Sequence, residues 1–334
     1  MSLFEGKKVL ITGGTGSLGK ALTKKILETD VDTIRIFSRD ELKQVEMQAD
    51  FNDERLRFLI GDVRDKERIF RALEDIDIVL HTAALKHVPV AEYNPFEAVK
   101  TNVYGTQNVI DTCIDKNIKA AIAIGTDKAV SPLNTYGATK LLMERLFIAA
   151  NYYKGRHRKD LKFLCVRYGN VLGSRGSILP IILKQIQMKK KITITDPSMT
   201  RFNITMNQAL NLVFRALENG VGGQVFIPKL KAYKVGDMKD AILDLLDSKN
   251  ETEMISIRPG EKSHEILINR DELRKTFETK EDYVIYEKQI QNQEVIKSQG
   301  LVETNRTDEY SSDKVISLTK NEIKDILKQE NLLP

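Results

Sequence analysis

The apolar positions of this chain come in short runs separated by longer, partly apolar stretches, and the two alternate. Lys8-Val9-Leu10-Ile11-Thr12 is a run of strand-forming residues. A glycine turn follows, Gly13-Gly14-Thr15-Gly16-Ser17-Leu18-Gly19, and then a helical pattern over 20–28. Runs of the same kind return at 33–37, 56–60, 77–81, 120–124 and 163–168. Helical patterns lie between them, among them 95–115 and 138–150. Strand and helix in strict alternation predict an α/β fold with a doubly wound parallel sheet. The strand, glycine turn and helix at the start stand in the order a Rossmann dinucleotide fold requires.

Past residue 168 glycine density rises and the alternation stops. A smaller C-terminal substrate-binding lobe is expected there, taking in the segments 192–196, 200–204 and 224–228 and a helix near 207–218. After Tyr286 the sequence turns polar, and Thr319-Lys320-Asn321-Glu322 has the capping-box pattern ahead of a short helix to Leu327. The pattern divides the chain into a dinucleotide-binding part, 1–172, a lobe partly interleaved with it, 173–285, and an extension, 286–334. That extension either packs on a neighbour or is solvated.

With 334 residues and 41% hydrophobic content, the chain can bury a full core and a second lobe. Fifty-two basic residues face 47 acidic ones, a net charge of +5. The charges are spread along the chain without a basic block, which argues against nucleic acid as a partner. A modest positive excess suits an anionic substrate or cofactor. Cys113 and Cys165 sit in apolar contexts, as in a reduced, cytoplasmic protein. His81, His87, His157 and His264 are too scattered for a zinc site, so no metal is expected. The longest apolar runs fall short of a membrane span, and Lys7-Lys8 leads into a strand rather than a signal peptide.

Candidate chemistry gathers at the strand ends. In the glycine turn, Gly13 and Gly16 let backbone approach a pyrophosphate at a helix N-terminus. The second strand ends in Ser38-Arg39-Asp40-Glu41. Arg39 could hold a 2′-phosphate, which points to NADP; the competing readings are a surface Arg, or Asp40 or Glu41 on a ribose hydroxyl. Asp62, before Val63, is placed to meet an adenine amino group. Ala83 and Ala84 leave room for a cofactor along the strand ends, with Lys86 and His87 in the loop beyond, while His81 reads as a strand residue. After the 120–124 strand come Thr126, Asp127 and Lys128, then Tyr136 and Lys140, four apart on one helix face. A nearby ammonium lowers the pKa of a phenol, so Tyr136 could exchange a proton with a substrate hydroxyl. Arg175, Arg201 and Arg258 could grip a diphosphate.

The glycine turn, Tyr136-x-x-x-Lys140 and the lobe resemble the extended short-chain dehydrogenase/reductases. Ala83-Ala84-Leu85-Lys86-His87-Val88-Pro89, Thr126-Asp127-Lys128-Ala129-Val130, Val166-Arg167-Tyr168-Gly169-Asn170-Val171 and Arg258-Pro259-Gly260-Glu261-Lys262 narrow the likeness to UDP-N-acetylglucosamine 4,6-dehydratases, over about residues 7–286. The inverting branch, which opens pseudaminic acid synthesis, is the most similar. Gly125 stands where the family usually has Ser, and Asn203 where the inverting branch usually has Trp.

The resemblance implies NADP as cofactor and UDP-N-acetylglucosamine as substrate. It also implies a homo-oligomer, a dimer or a hexamer. Cofactor contacts would come from Gly13, Thr15, Gly16, Ser17, Leu18 and Gly19, from Ser38, Arg39, Asp62 and Val63, and from Ala83, Ala84, Lys86, Tyr136 and Lys140. Substrate contacts would come from Lys86, Asn170, Arg175, Thr195, Arg201, Arg258 and Glu261. Thr126, Asp127, Lys128, Tyr136 and Lys140 would form the catalytic group. Lys128 would be the base at C5 of the sugar, its pKa lowered by burial beside a cationic nicotinamide, and Asp127 the acid.

Overall fold

In the computed structural model, which describes residues 3–174, 176–257, 260–286, 296 and 298–334, the apolar runs become strands. These are β1 (Lys8–Thr12), β2 (Thr33–Ser38), β3 (Leu56–Ile60), β4 (Ile78–His81), β5 (Ala120–Ile124) and β6 (Lys162–Val166). They run parallel in the order β3-β2-β1-β4-β5-β6. Val9, Leu10, Ile11, Ile34, Val79 and Ile122 are fully buried, because helices cover both faces of the sheet. The fold is the doubly wound Rossmann type. The chain reverses direction across the sheet between β1 and β4, which opens a crevice at the carboxyl ends of the strands.

Later chain completes the sheet. The Gln224–Pro228 strand lies parallel beside β6, and Asp282–Tyr286, Thr276–Glu278 and Val302–Glu303 continue antiparallel, for ten strands among the described residues. A second, smaller core joins Leu179, Ile182, Met238 and Ile242 of the lobe to Ile323 and Leu327 near the C-terminus. The extension therefore packs on its own chain. Its Tyr310–Ser311 strand pairs antiparallel with Ile266–Ile268, and the capping box at Thr319 opens the Lys320–Gln329 helix.

Helix boundaries differ from the sequence pattern in two places that matter. The helix expected from 138 begins at Thr135, because the Asn134 side chain accepts a hydrogen bond from Gly137 N at 2.8 Å and caps it. The helix expected over 95–115 is interrupted. Pro95–Val99 and Gly105–Asp115 are α-helical, but Lys100–Tyr104 is a π-turn. That turn brings Asn102 inward, where its amide accepts from Leu85 N (2.8 Å) and donates to Leu85 O (3.0 Å) and Thr139 Oγ1 (3.0 Å). Such π-turns often mark functional sites; this one ties the loop after β4 to the helix that carries Tyr136.

Candidate active site

The glycine turn forms a cradle. Gly13 sits at φ +66°, and a Cβ there would lie 2.9 Å from the Ala83 backbone. Both conformation and space therefore require glycine. Gly16 N donates to Gly13 O at 2.9 Å, and Gly16 precedes the Ser17–Leu27 helix, of which Ser17, Leu18 and Gly19 begin the first turn. Thr15 is buried in the turn, and Ala83 N donates to Thr12 Oγ1 at 3.3 Å, with Ala84 next to it. A left-handed glycine followed by a helix N-terminus fits a pyrophosphate.

At the end of β2, Ser38 is fixed by Gln44, which donates to Ser38 Oγ at 3.0 Å and to Leu59 O at 2.9 Å. Asp40 caps the Glu41–Phe51 helix through Lys43 N at 3.1 Å, so its side chain is engaged locally. Arg39 lies half-exposed, 3.8 Å from the Asp62 carboxylate. Burial would raise the Asp62 pKa, but hydrogen bonds from Arg64, at 2.7 and 2.9 Å, outweigh it and hold the carboxyl below its usual range. Arg64 is a second guanidinium beside Arg39, and its place was not legible in the sequence. Val63 is buried next to them.

Beyond β5, the Asp127–Ala129 segment makes one tight turn, capped by the Thr126 side chain. Gly125, just past β5, lies against the end of β6: its N–H meets Val166 O at 2.6 Å, and a Cβ would lie equally close to that oxygen. A side chain at this position would press on that backbone oxygen, and glycine avoids the contact. Asp127 is buried and accepts from Thr126 Oγ1 at 2.7 Å and from Lys128 Nζ at 3.1 Å. Lys128 also donates to Glu265 Oε1 at 3.3 Å and to Asn170 Oδ1 at 3.4 Å.

Two electrostatic expectations are corrected. Tyr136 and Lys140 share the helix, but the Lys140 amine contacts Met143 Sδ at 3.0 Å, and burial lowers its pKa to about 8. The cation acting on Tyr136 is Lys128, and burial prevails over it, pushing the phenol up to about 12. Lys128 was expected to be depressed by burial beside a cationic nicotinamide; among the protein's own groups the balance at this site runs the other way. Burial does pull it down, but Asp127 and Glu265 outweigh that and hold the ammonium above its ordinary value.

These groups face a cavity of about 790 Å³ whose wall includes Lys86, Thr126, Lys128, Tyr136, Asn170, Arg201, Glu261 and Glu265. Asp127 and Lys140 stand behind the wall. Thr195 is one layer out, its hydroxyl donating to Glu261 Oε1 at 3.4 Å. Arg201 lies 3.5 Å from Glu261 and 3.7 Å from Glu265. Arg175 and Arg258 fall outside the described residues. Ser177, in the wall, opens the Ile178–Gln187 helix, and its buried hydroxyl has no partner among the described residues. Asn203 is buried below, with its Oδ1 also unpartnered. His81 is a strand residue between Thr12 Oγ1 (2.8 Å) and Thr106 Oγ1 (3.1 Å), kept neutral by burial, which lowers its pKa to about 3. Among the described residues no helix is long and apolar enough to cross a membrane, and no His, Cys, Asp and Glu cluster could hold a metal.

Residues 9–287 match the polysaccharide biosynthesis protein family. The chain belongs to that family. It is 50% identical over 285 residues to a UDP-N-acetylglucosamine 4,6-dehydratase (inverting) of Campylobacter jejuni, covering 85% of this chain and 84% of that one. It is also 43% identical over 289 residues to a UDP-glucose 4-epimerase of Rickettsia massiliae, again covering 85% and 84%. Among solved structures, Pen from Bacillus thuringiensis superposes with a TM-score of 0.91 at 40% identity, covering 99% of both chains. Members of this family thus include nucleotide-sugar dehydratases and epimerases.

Proposed function

We propose that this protein is an NADP-dependent UDP-N-acetylglucosamine 4,6-dehydratase that inverts C5, forming UDP-2-acetamido-2,6-dideoxy-L-arabino-hex-4-ulose. The observation that carries the reading is the buried Asp127–Lys128 pair beside Tyr136 at the cavity. Removing water across C5 and C6 needs a base and an acid in addition to the Tyr136 hydroxyl. The half-identical relative of that name supports the same reading.

The cradle of Gly13, Thr15, Gly16, Ser17, Leu18 and Gly19 would hold the pyrophosphate, Arg39 the 2′-phosphate, and Asp62 the adenine amino group. Ser38, Val63, Ala83 and Ala84 would line the remaining path. When bound, the nicotinamide supplies a reversible hydride exchange, drawn from C4 of the sugar and returned at C6. Tyr136, in its phenolate form, accepts the proton of the 4-hydroxyl, with Lys140 behind it and Thr126 hydrogen-bonded to the 4-oxygen. The resulting ketone acidifies the C5 proton. Lys128, once its ammonium proton has passed to Asp127 at 3.1 Å, removes that C5 proton, and Asp127 protonates the departing 6-oxygen. Lys86, Asn170, Arg175, Thr195, Arg201, Arg258 and Glu261 would bind the UDP-sugar.

A second reading, a nucleotide-sugar 4-epimerase, is favoured by the Rickettsia relative. The two differ at C5, which an epimerase never touches. In heavy water with UDP-N-acetylglucosamine, NMR of the product should show deuterium at C5 and a C6 methyl group. A product epimeric at C4, with protium at C5 and its 6-hydroxyl intact, would overturn the dehydratase reading.

A further inference from the structure

We propose that Glu265, held by the C-terminal segment, is the counter-ion that fixes the charge and aim of Lys128. Glu265 is 3% exposed, and its Oε1 lies 3.3 Å from Lys128 Nζ and 3.7 Å from Arg201 Nε. Its Oε2 is buried without a hydrogen-bond partner among the described residues, and Glu265 is part of the cavity wall. A buried carboxylate is costly unless paired, so Glu265 and the two cations constrain one another.

The backbone of Glu265 is clamped on both sides by one residue of the extension. Glu265 N donates to Ser312 Oγ at 2.9 Å, and Ser312 N donates to Glu265 O at 2.8 Å. The Ser312 hydroxyl is itself paired with Thr200 Oγ1 at 2.6 Å. The adjoining Ile266–Ile268 strand pairs with Tyr310–Ser311. Asp127 neighbours Lys128 in the chain, but Glu265 reaches it from 137 residues away. The charge at Lys128 therefore depends on where the lobe and the extension place Glu265.

The other groups facing Lys128 are Asp127, Tyr136, Arg201 and Asn170, with Tyr233 and Lys262 in the same electrostatic neighbourhood. Lys262 is itself engaged, donating to Val130 O at 2.5 Å. Arg201 opposes protonation of Lys128, and the carboxylates favour it. Removing the Glu265 charge should let Lys128 lose its proton at lower pH.

The role of Lys128 as base rests on the dehydratase reading, so the primary test does not use turnover. Competitive acylation of Lys128 across pH, mapped by peptide mass spectrometry, reads its ionisation directly. Glu265→Gln should move the midpoint down by about one to three pH units, the usual effect of losing a nearby opposite charge. Glu265→Asp should restore part of the shift, and Ser312→Ala should move it the same way by less. The limb on which C5 deuterium exchange rises with pH should shift down in parallel, which a merely structural defect would not produce. An unchanged labelling midpoint in folded Glu265→Gln overturns the proposal. Should that variant not fold, wild-type midpoints in both Glu265→Asp and Ser312→Ala overturn it. A shifted midpoint in an enzyme that exchanges no C5 proton supports the counter-ion and rejects the dehydratase instead.

Discussion

Tyr136 is buried with its phenol held up near 12, so at neutral pH it rests as a proton donor and becomes a base only when charge develops beside it. Tyr136→Phe keeps the ring and removes the exchangeable proton. Turnover should fall about a hundred- to ten-thousand-fold, the usual loss for a positioned proton-transfer group, while dinucleotide binding stays near wild type. A steady-state kcat equal to wild type would remove Tyr136 from the chemistry. Arg39 makes a different test. Arg39→Ala should weaken NADP about ten- to a hundred-fold, as loss of a charge-assisted hydrogen bond implies, and leave NAD almost unchanged. Calorimetric titration with each dinucleotide decides it, and equal loss for both would show that Arg39 does not read the 2′-phosphate. Thr126, Asp127, Lys128 and Tyr136 were legible because their chemistry lies in one stretch of chain. Glu265 was not: it sits in Ser263-His264-Glu265-Ile266, which carries no local signal, and reaches Lys128 through tertiary pairing. Together with Asp127, that distant carboxylate outweighs burial at Lys128 when the protein's own groups alone act.

The helix carrying Tyr136 depends on its first turn. Asn134 accepts from Gly137 N and donates to Gly260 O at 2.9 Å, so one side chain starts the helix and ties down the loop at the cavity rim. Asn134→Ala should cost about 1 kcal/mol of stability, the typical loss of a cap, and should lower kcat because Tyr136 lies within that turn. Urea unfolding at wild-type stability would count against the cap. The parallel strands were readable from their apolar runs, to within two residues of the expected ends, whereas Thr276–Glu278, Asp282–Tyr286 and Val302–Glu303, which extend the same sheet, were not expected. The π-turn at Lys100–Tyr104 was not readable, since Lys-Thr-Asn-Val-Tyr has no composition that sets it apart. It follows from Asn102 clasping Leu85, a contact with another element.

Across the whole molecule the sheet and the lobe are joined by a buried ion triad. Arg167, at the end of β6, is fully buried and pairs with Glu144 of the Tyr136 helix and with Glu272 at 2.9 Å, and donates to Leu267 O at 2.8 Å. Burial raises the Glu272 pKa, but Arg167 outweighs it and depresses the value overall. The contribution is thus present above the unfolded pKa, about 4.3, and is lost as pH falls through the folded one. Glu272→Gln should cost about 2 kcal/mol at pH 7, the scale of a hydrogen bond to a charged group. The gap to wild type in urea unfolding should narrow below about pH 4, and a gap that stays constant would mean Glu272 is not the ionised partner.

The clamp at Glu265 also has a consequence in time. Ser311 and Ser312 are synthesised after every strand of the parallel sheet and after Glu265 itself. A nascent chain emerging from the ribosome can close the glycine cradle early, when β1, β2 and β4 have paired. Its acid–base centre stays unfinished until the segment around Ser312 has left the exit tunnel. A partly made chain therefore lacks the Ser312 clamp on the Glu265 backbone, and the two ends of the cavity are completed at different times.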